Sequence, residues 1–290
     1  MERIGFIGVG NMGGQVAKAI VAKGYPLAIF DLDASACEKF KGLADIKDNA
    51  NDVLKSSDIV FLSLPSSKQV VPTIESFISI GISGKIVIDT STSYPLTTKE
   101  LSEKVISSGG HLVDLPLSGA PADAEKGNLL ALFGGEEHLY EQLRPVVSCF
   151  ANRYAYLGGS GSGHITKLMF NFIALSYVNI YAMAFSLSEA VGQDNAQLLE
   201  LLKTTGMSCG VLNFYGQKMI GKTYDMAFAL ELAHKDLSYV RSMFEEFQVP
   251  AFPLDGTLDM LRIAIRDGRG KEDYSASIAT MYEFFDRKQP

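Results

Sequence analysis

The sequence predicts an α/β amino-terminal domain built on an open, mostly parallel sheet, followed by an all-α carboxy-terminal domain, with a long helix joining them. Three observations predict this. Short apolar runs bounded by Gly, Pro or Asp alternate with helical patterns through residues 3–157. After "YLGGSGSG" the strand signals give way to helical periodicity that continues to the end. The first apolar run leads directly into a glycine-rich turn, "GVGNMGG". Near-continuous apolar runs suit parallel strands buried on both faces. Strand–helix alternation at this period gives a sheet covered by helices.

The strand candidates are residues 4–9, 27–31, 59–64, 85–90, 111–117, 129–134 and 154–158. Helical patterns such as "NMGGQVAKAIVAKG" and "PLTTKELSEKVISSGG" lie between them. The predicted domains are 1–161 and 162–290. A helix over about 162–191 is apolar on nearly every face, which predicts burial. At about 1.5 Å per residue it is long enough to span both domains.

Composition narrows the function classes. The chain has 290 residues, a hydrophobic fraction of 47% and a net charge of −7. No basic tract or Lys/Arg stripe is present, so nucleic acid is excluded as a main partner. Cys37, Cys149 and Cys209 are far apart and odd in number, which fits a reducing cytoplasm rather than a disulfide framework. "MERIGFIGVG" has no signal-peptide layout. The apolar stretch 168–184 is interrupted by Asn171, Asn179, tyrosines and a serine and has no basic flank, so no membrane span is predicted. No His, Asp or Glu set shows metal-ligand spacing, so no metal is expected.

Gly8, Gly10 and Gly13 have the G-x-G-x-x-G spacing between a strand and a helix, which marks a Rossmann-type dinucleotide site. Gly8 permits the tight turn, Gly10 lets a pyrophosphate approach the backbone, and Gly13 lets helix and strand pack closely. The N–H groups of Asn11 and Met12 then face the phosphates at the positive helix end. Asp31 ends the second strand, about 20 residues past the glycines, where an acid accepts from the ribose hydroxyls and repels a 2′-phosphate. No Arg or Lys follows until Lys39, which favours NAD over NADP. Leu64 and Pro65 sit at the carboxyl end of the strand 59–64, at the edge where such sheets bind ligands.

In "GSGHITKLMFN", Gly163, Lys167 and Asn171 recur every four residues and share one helix face. Taken alone, Lys167 is either a snorkelling surface lysine or a proton donor. Gly163 lets a ligand or a strand approach, and Asn171 offers an amide to the lysine or the substrate oxygen. His164 and His234 are read as structural.

Four motifs in order are similar to those of the β-hydroxyacid dehydrogenase family, and the resemblance covers essentially the whole chain. They are "GFIGVGNMGG", "DTSTSYP" (89–95), "DLPLSGAPADAEKGNL" (114–129) and "GSGHITKLMFN", with "AHKDL" (233–237) and "GRGKEDYS" (268–275) farther on. The resemblance implies that Thr92 touches the nicotinamide, that Ser118, Gly119 and Ala120 bind substrate, and that Lys167 is the general acid/base with Asn171 beside it. It also implies that Lys235 contacts the cofactor; Asp236, next to it in the sequence, is read as supporting it. The family often has two glycines after the substrate serine; here Ala120 replaces the second. The implied substrate is a short carboxylate, a β-hydroxy acid or its semialdehyde, and the implied assembly is a homodimer or homotetramer with the site between the domains. A related reductase of another carbonyl or an imine, and a silent dinucleotide-binding protein, are the alternatives.

Overall fold

The computed structural model describes residues 1–286. The chain divides into two compact units, Met1–Lys167 and the residues from Leu168 onward.

In the first unit, β1 (Ile4–Ile7), β2 (Leu27–Phe30), β3 (Asp45–Ile46), β4 (Ile59–Leu62), β5 (Ile86–Asp89) and β6 (His111–Asp114) form one sheet in the order β3-β2-β1-β4-β5-β6. All its pairings are parallel, and its order is that of doubly wound nucleotide-binding folds. The helices of this unit are α1 (Asn11–Ala22), α2 (Ala34–Glu38), α3 (Ala50–Ser56), α4 (Ser67–Ile80), α5 (Pro95–Ser107), α6 (Pro121–Glu125) and α7 (Glu137–Val147). Apart from exposed β3, the strands are buried along most of their length, and two clusters form on them. One joins Phe6, Ile29 and Phe61 to α1 and α7; the other joins Val60 and Val87 to Ile74 and Phe77 of α4.

The expected single sheet is in fact two. The run 111–117 breaks into β6 and β7 (Leu117–Ser118), and β7 pairs antiparallel with β8 (Leu129–Phe133), which pairs parallel with β9 (Ala151–Tyr156). Pro116 lies at the break, where it has no N–H to continue a ladder. Strand β3 was not predicted; its two residues are exposed and carry no apolar run.

The helix α8 (Ser162–Ala190) starts in the first unit and continues into the second. There it is followed by α9 (Asn195–Lys203), α10 (Gly210–Gly221), α11 (Leu230–Glu246), α12 (Phe252–Ala264) and α13 (Ser277–Asp286). Leu175, Val178, Ala182 and Phe185 of α8 enter a core with Leu237, Leu254, Leu258 and Ile278. Tyr274, fully buried, donates to the carbonyl of Leu175 at 3.0 Å.

Burial of α8 on every face is not what the structure shows. Phe170, Ile173, Tyr177, Ile180 and Leu187 form an exposed stripe, with Ile180 57% accessible. The helix is long and apolar enough to cross a membrane by length and composition alone. Its two apolar faces account for that: one is buried in the core of the second unit and the other is exposed.

Candidate functional site

The glycine turn is built as its spacing predicts. Gly8 has φ +89°, and a Cβ there would lie 2.2 Å from the Ser63 carbonyl oxygen. A Cβ on Gly13 would lie 2.1 Å from the Gly8 oxygen, so only glycine lets α1 close on β1. Around Gly10 there is open space: a Cβ would meet nothing within 4 Å. Gly10 caps α1, and the N–H groups of a first turn, here those of Asn11 and Met12, have no intrahelical acceptors. The residues present therefore fit a pyrophosphate. Asp31 accepts from Val9 N–H at 2.7 Å through one oxygen and from Asp33 N–H at 2.9 Å through the other. Each oxygen keeps a lone pair for a ribose hydroxyl.

The strand ends beside the turn are tied together. Leu64 N–H donates to the Ser91 hydroxyl at 2.9 Å, with Pro65 exposed next to it. Buried Asp89 accepts from Ser91 N–H at 2.9 Å and from the Ser93 hydroxyl at 2.7 Å. Thr92, half-buried, therefore sits between two pinned serines.

The start of the lysine helix is held by His164 and by two acids that sequence reasoning missed, Asp89 and Asp114. Asp114, at the end of β6 and fully buried, accepts from Gly161 N–H at 2.7 Å and His164 N–H at 3.0 Å. A carboxylate there faces the positive end of α8. Burial pushes its pKa up, against the pull of His164 and the two amides. His164, with no exposed surface, lies 3.1 Å from the Ser91 carbonyl through Nε2 and 2.9 Å from the Thr98 hydroxyl through Nδ1. A carbonyl only accepts, so Nε2 carries the proton. Asp89 is 3.7 Å from the same nitrogen. His164 is thus structural, as predicted, and it joins the Ser91–Ser93 loop to α8. Gly163 faces a strand rather than a ligand: a Cβ would lie 2.3 Å from the Leu132 oxygen of β8. The sequence signal for the two acids was available, since each ends a buried strand.

Lys167 lies on the second turn of α8, half-buried. Asn171, one turn on, donates through Nδ2 to Asp236 at 2.6 Å, and Lys235 Nζ lies 2.9 Å from the other Asp236 oxygen. Asp236 is 1% exposed. In the second unit it therefore joins α8 to α11 and holds two of the predicted site residues.

Ser118 ends β7, half-buried, with Gly119 and Ala120 exposed beyond it. Gly119 has φ +136°, and a Cβ would press on Leu129 at 2.7 Å. The short helix α6 follows directly. Asp123 takes the Ala120 N–H at 2.7 Å and puts a negative charge at that end. The sequence predicted no metal set, but the fold gathers His111, Glu136 and His138 from the start of β6 and the start of α7. No local spacing reveals it, because 25 residues separate the first two.

Residues 3–158 match the family model described as the NAD binding domain of 6-phosphogluconate dehydrogenase. Residues 161–281 match the family model described as NAD-binding of NADP-dependent 3-hydroxyisobutyrate dehydrogenase. The chain is similar to mitochondrial 3-hydroxyisobutyrate dehydrogenase of Bos taurus, 29% identical over 94% of this chain and 84% of that protein. It is also similar to 2-hydroxy-3-oxopropionate reductase of Escherichia coli K12, 27% identical over 81% of this chain and 82% of that one. Among solved structures, Mycobacterium tuberculosis 3-hydroxyisobutyrate dehydrogenase with L-serine superposes with a TM-score of 0.88 at 22% identity, over 97% of this chain and 99% of that one. The chain belongs to the β-hydroxyacid dehydrogenase family, and it is an oxidoreductase with NAD(P)-binding domains.

Proposed function

We propose that this protein is an NAD-dependent dehydrogenase that interconverts a short β-hydroxy acid and its semialdehyde, with Lys167 as general acid/base. One observation carries the reading. Lys167 stands one turn past His164, and His164 bonds to the loop that presents Thr92.

A dinucleotide held at the Gly8–Gly13 turn would supply or accept the hydride. In reduction, Lys167 gives a proton from Nζ to the carbonyl oxygen as negative charge builds there, then regains one from solvent. In oxidation, neutral Lys167 takes the hydroxyl proton. A positioned proton transfer of this kind contributes about 10²–10⁴ in rate. The Ser118 hydroxyl and the Gly119 N–H, small neutral donors, hold the substrate carboxylate. Asn171 orients the substrate oxygen, and Asp236 fixes Asn171 and Lys235 as a positioning residue. Asp31 favours NAD, because its charge opposes a 2′-phosphate.

The assembly we propose is a homodimer or homotetramer. Along α8 the exposed residues Phe170, Ile173, Tyr177, Ile180 and Leu187 follow alternate three- and four-residue steps, with exposed Ala184 filling the one gap. That spacing suits packing against another apolar helix. The free thiols Cys37, Cys149 and Cys209 suit a reducing compartment such as the cytoplasm.

The test is NADH oxidation against a panel of short semialdehyde acids, with NADPH and Lys167→Ala in parallel. The expected result is turnover of one acid, a preference for NADH, and a kcat loss of about 10²–10⁴ in the variant with NADH affinity kept. Full activity in Lys167→Ala removes the lysine from the chemistry. Preference for NADPH overturns the cofactor reading, and no turnover with any acid overturns the substrate class.

A further inference from the structure

We propose that His111, Glu136 and His138 form a binding site for a zinc-type divalent cation on the first unit. One ligand atom from each lies within 4.8 Å of the others. His111 Nδ1 is 2.5 Å from Glu136 Oε2, and the His111 and His138 rings meet edge to face with centroids 5.6 Å apart. Two imidazoles and one carboxylate, completed by water, are a donor set that zinc accepts in tetrahedral geometry. At metal–ligand bonds of about 2.0–2.1 Å, ligand atoms stand about 3.3 Å apart. His111 and Glu136 are half-buried and His138 is exposed, so binding requires their side chains to close the remaining distance by rotation.

His111 opens β6, and its N–H bonds to the Lys85 carbonyl at 2.9 Å. Glu136 caps α7 and His138 is in its first turn. The next residues of each element, Leu112 and Leu139, are buried in the cores of this unit. An ion here ties β6 to α7. The site lies at the amino end of β6, whereas Asp114 and the dinucleotide turn lie at the carboxyl ends of the strands, where ligands of such sheets bind. The ion is therefore structural or regulatory and takes no part in hydride transfer.

The test is calorimetric titration of the full chain with Zn²⁺, with Co²⁺ as a spectroscopic probe. We expect one ion per chain with Kd in the micromolar range and a visible Co²⁺ band of tetrahedral intensity. His111→Asn, Glu136→Gln and His138→Asn should each weaken binding about 10-fold or more, consistent with losing one of three ligands, while Glu137→Gln leaves it unchanged. Zn²⁺ should raise the thermal midpoint of the parent protein and of Glu137→Gln only. Melting in EDTA and circular dichroism verify that the variants fold. The proposal fails if the parent binds no Zn²⁺ below about 100 µM, or if binding survives unchanged in both histidine variants. Activity is not the readout, so the outcome is independent of the dehydrogenase reading.

Discussion

Gly10 and Gly13 belong to one motif, yet the structure assigns them different work, and substitution separates them. In Gly13→Ala the new methyl would lie 2.1 Å from the Gly8 oxygen and 2.8 Å from Ser63 Cβ. The first of these is backbone, so the turn or α1 must shift, and a clash this close costs about 3 kcal/mol, the top of the usual overpacking range. Alanine returns about 1 kcal/mol of helix propensity, so the net loss should be about 2 kcal/mol. In Gly10→Ala the methyl meets nothing within 4 Å. The cap loses about 0.5–1 kcal/mol, and the stiffer unfolded chain returns about 0.4–1 kcal/mol; stability should barely change. A methyl in that space holds a pyrophosphate off the helix end, and losing one charge-assisted hydrogen bond, about 1.5–3 kcal/mol, weakens binding about 10- to 100-fold. Urea denaturation and NADH fluorescence titration at fixed salt read the two effects. The reasoning is refuted if Gly10→Ala is as destabilised as Gly13→Ala, or if its NADH affinity lies within about twofold of the parent.

Three further outcomes are expected. His164→Ala should destabilise the first unit by about 2–4 kcal/mol, from a cavity and lost bonds, and lower kcat; His164→Gln, which can still donate to Ser91, should recover part of both, and equal loss in the two variants would count against the bond. Burial, helped by Arg262, holds the His234 pKa below its ordinary value near 6.5. The unfolded chain then binds more protons, so His234 contributes stability above about pH 6.5 that is lost as pH falls through its native value; His234→Gln should flatten the pH dependence of the urea midpoint there. Ile180→Glu puts a charge in the exposed α8 stripe and should shift light-scattering mass towards monomer while the monomer's circular dichroism is kept.

Much of this was legible in the sequence, for identifiable reasons. Strands β1, β2, β4 and β5 are continuous apolar runs, and their pattern needs no tertiary knowledge. The turn glycines and the Lys167–Asn171 step are local spacings, so they too could be read. What escaped depends on distant partners. His164 meets Thr98 and Ser91 across 66 and 73 residues. Asp236 could be read only as a neighbour of Lys235, whereas its bond to Asn171 spans 65 residues. The division of the sheet turns on Pro116, whose effect depends on where β8 returns. The exposed α8 stripe escaped because apolar residues on both helix faces look alike until the core occupies one of them.

The buried polar groups around Asp114 say how the lysine helix is held. Asp89, Asp114 and His164 are each almost wholly out of water, and burying a polar or charged group is costly unless hydrogen bonds replace its hydration. They are replaced here by amides, hydroxyls and a carbonyl that belong to the loop before α5 and the start of α8. Apolar side chains could fill the same volume, but they would not fix the register of α8 against that loop, because dispersion contacts tolerate sliding that directed bonds do not. The raised pKa of Asp114 marks what this arrangement costs: the folded chain holds its proton more tightly, so the group's contribution to stability falls as pH rises from the unfolded carboxylate range to the native value. If Lys167, one turn further along, is the proton donor proposed above, it gains from such a helix start, since proton transfer loses its advantage when donor and acceptor drift from hydrogen-bond distance.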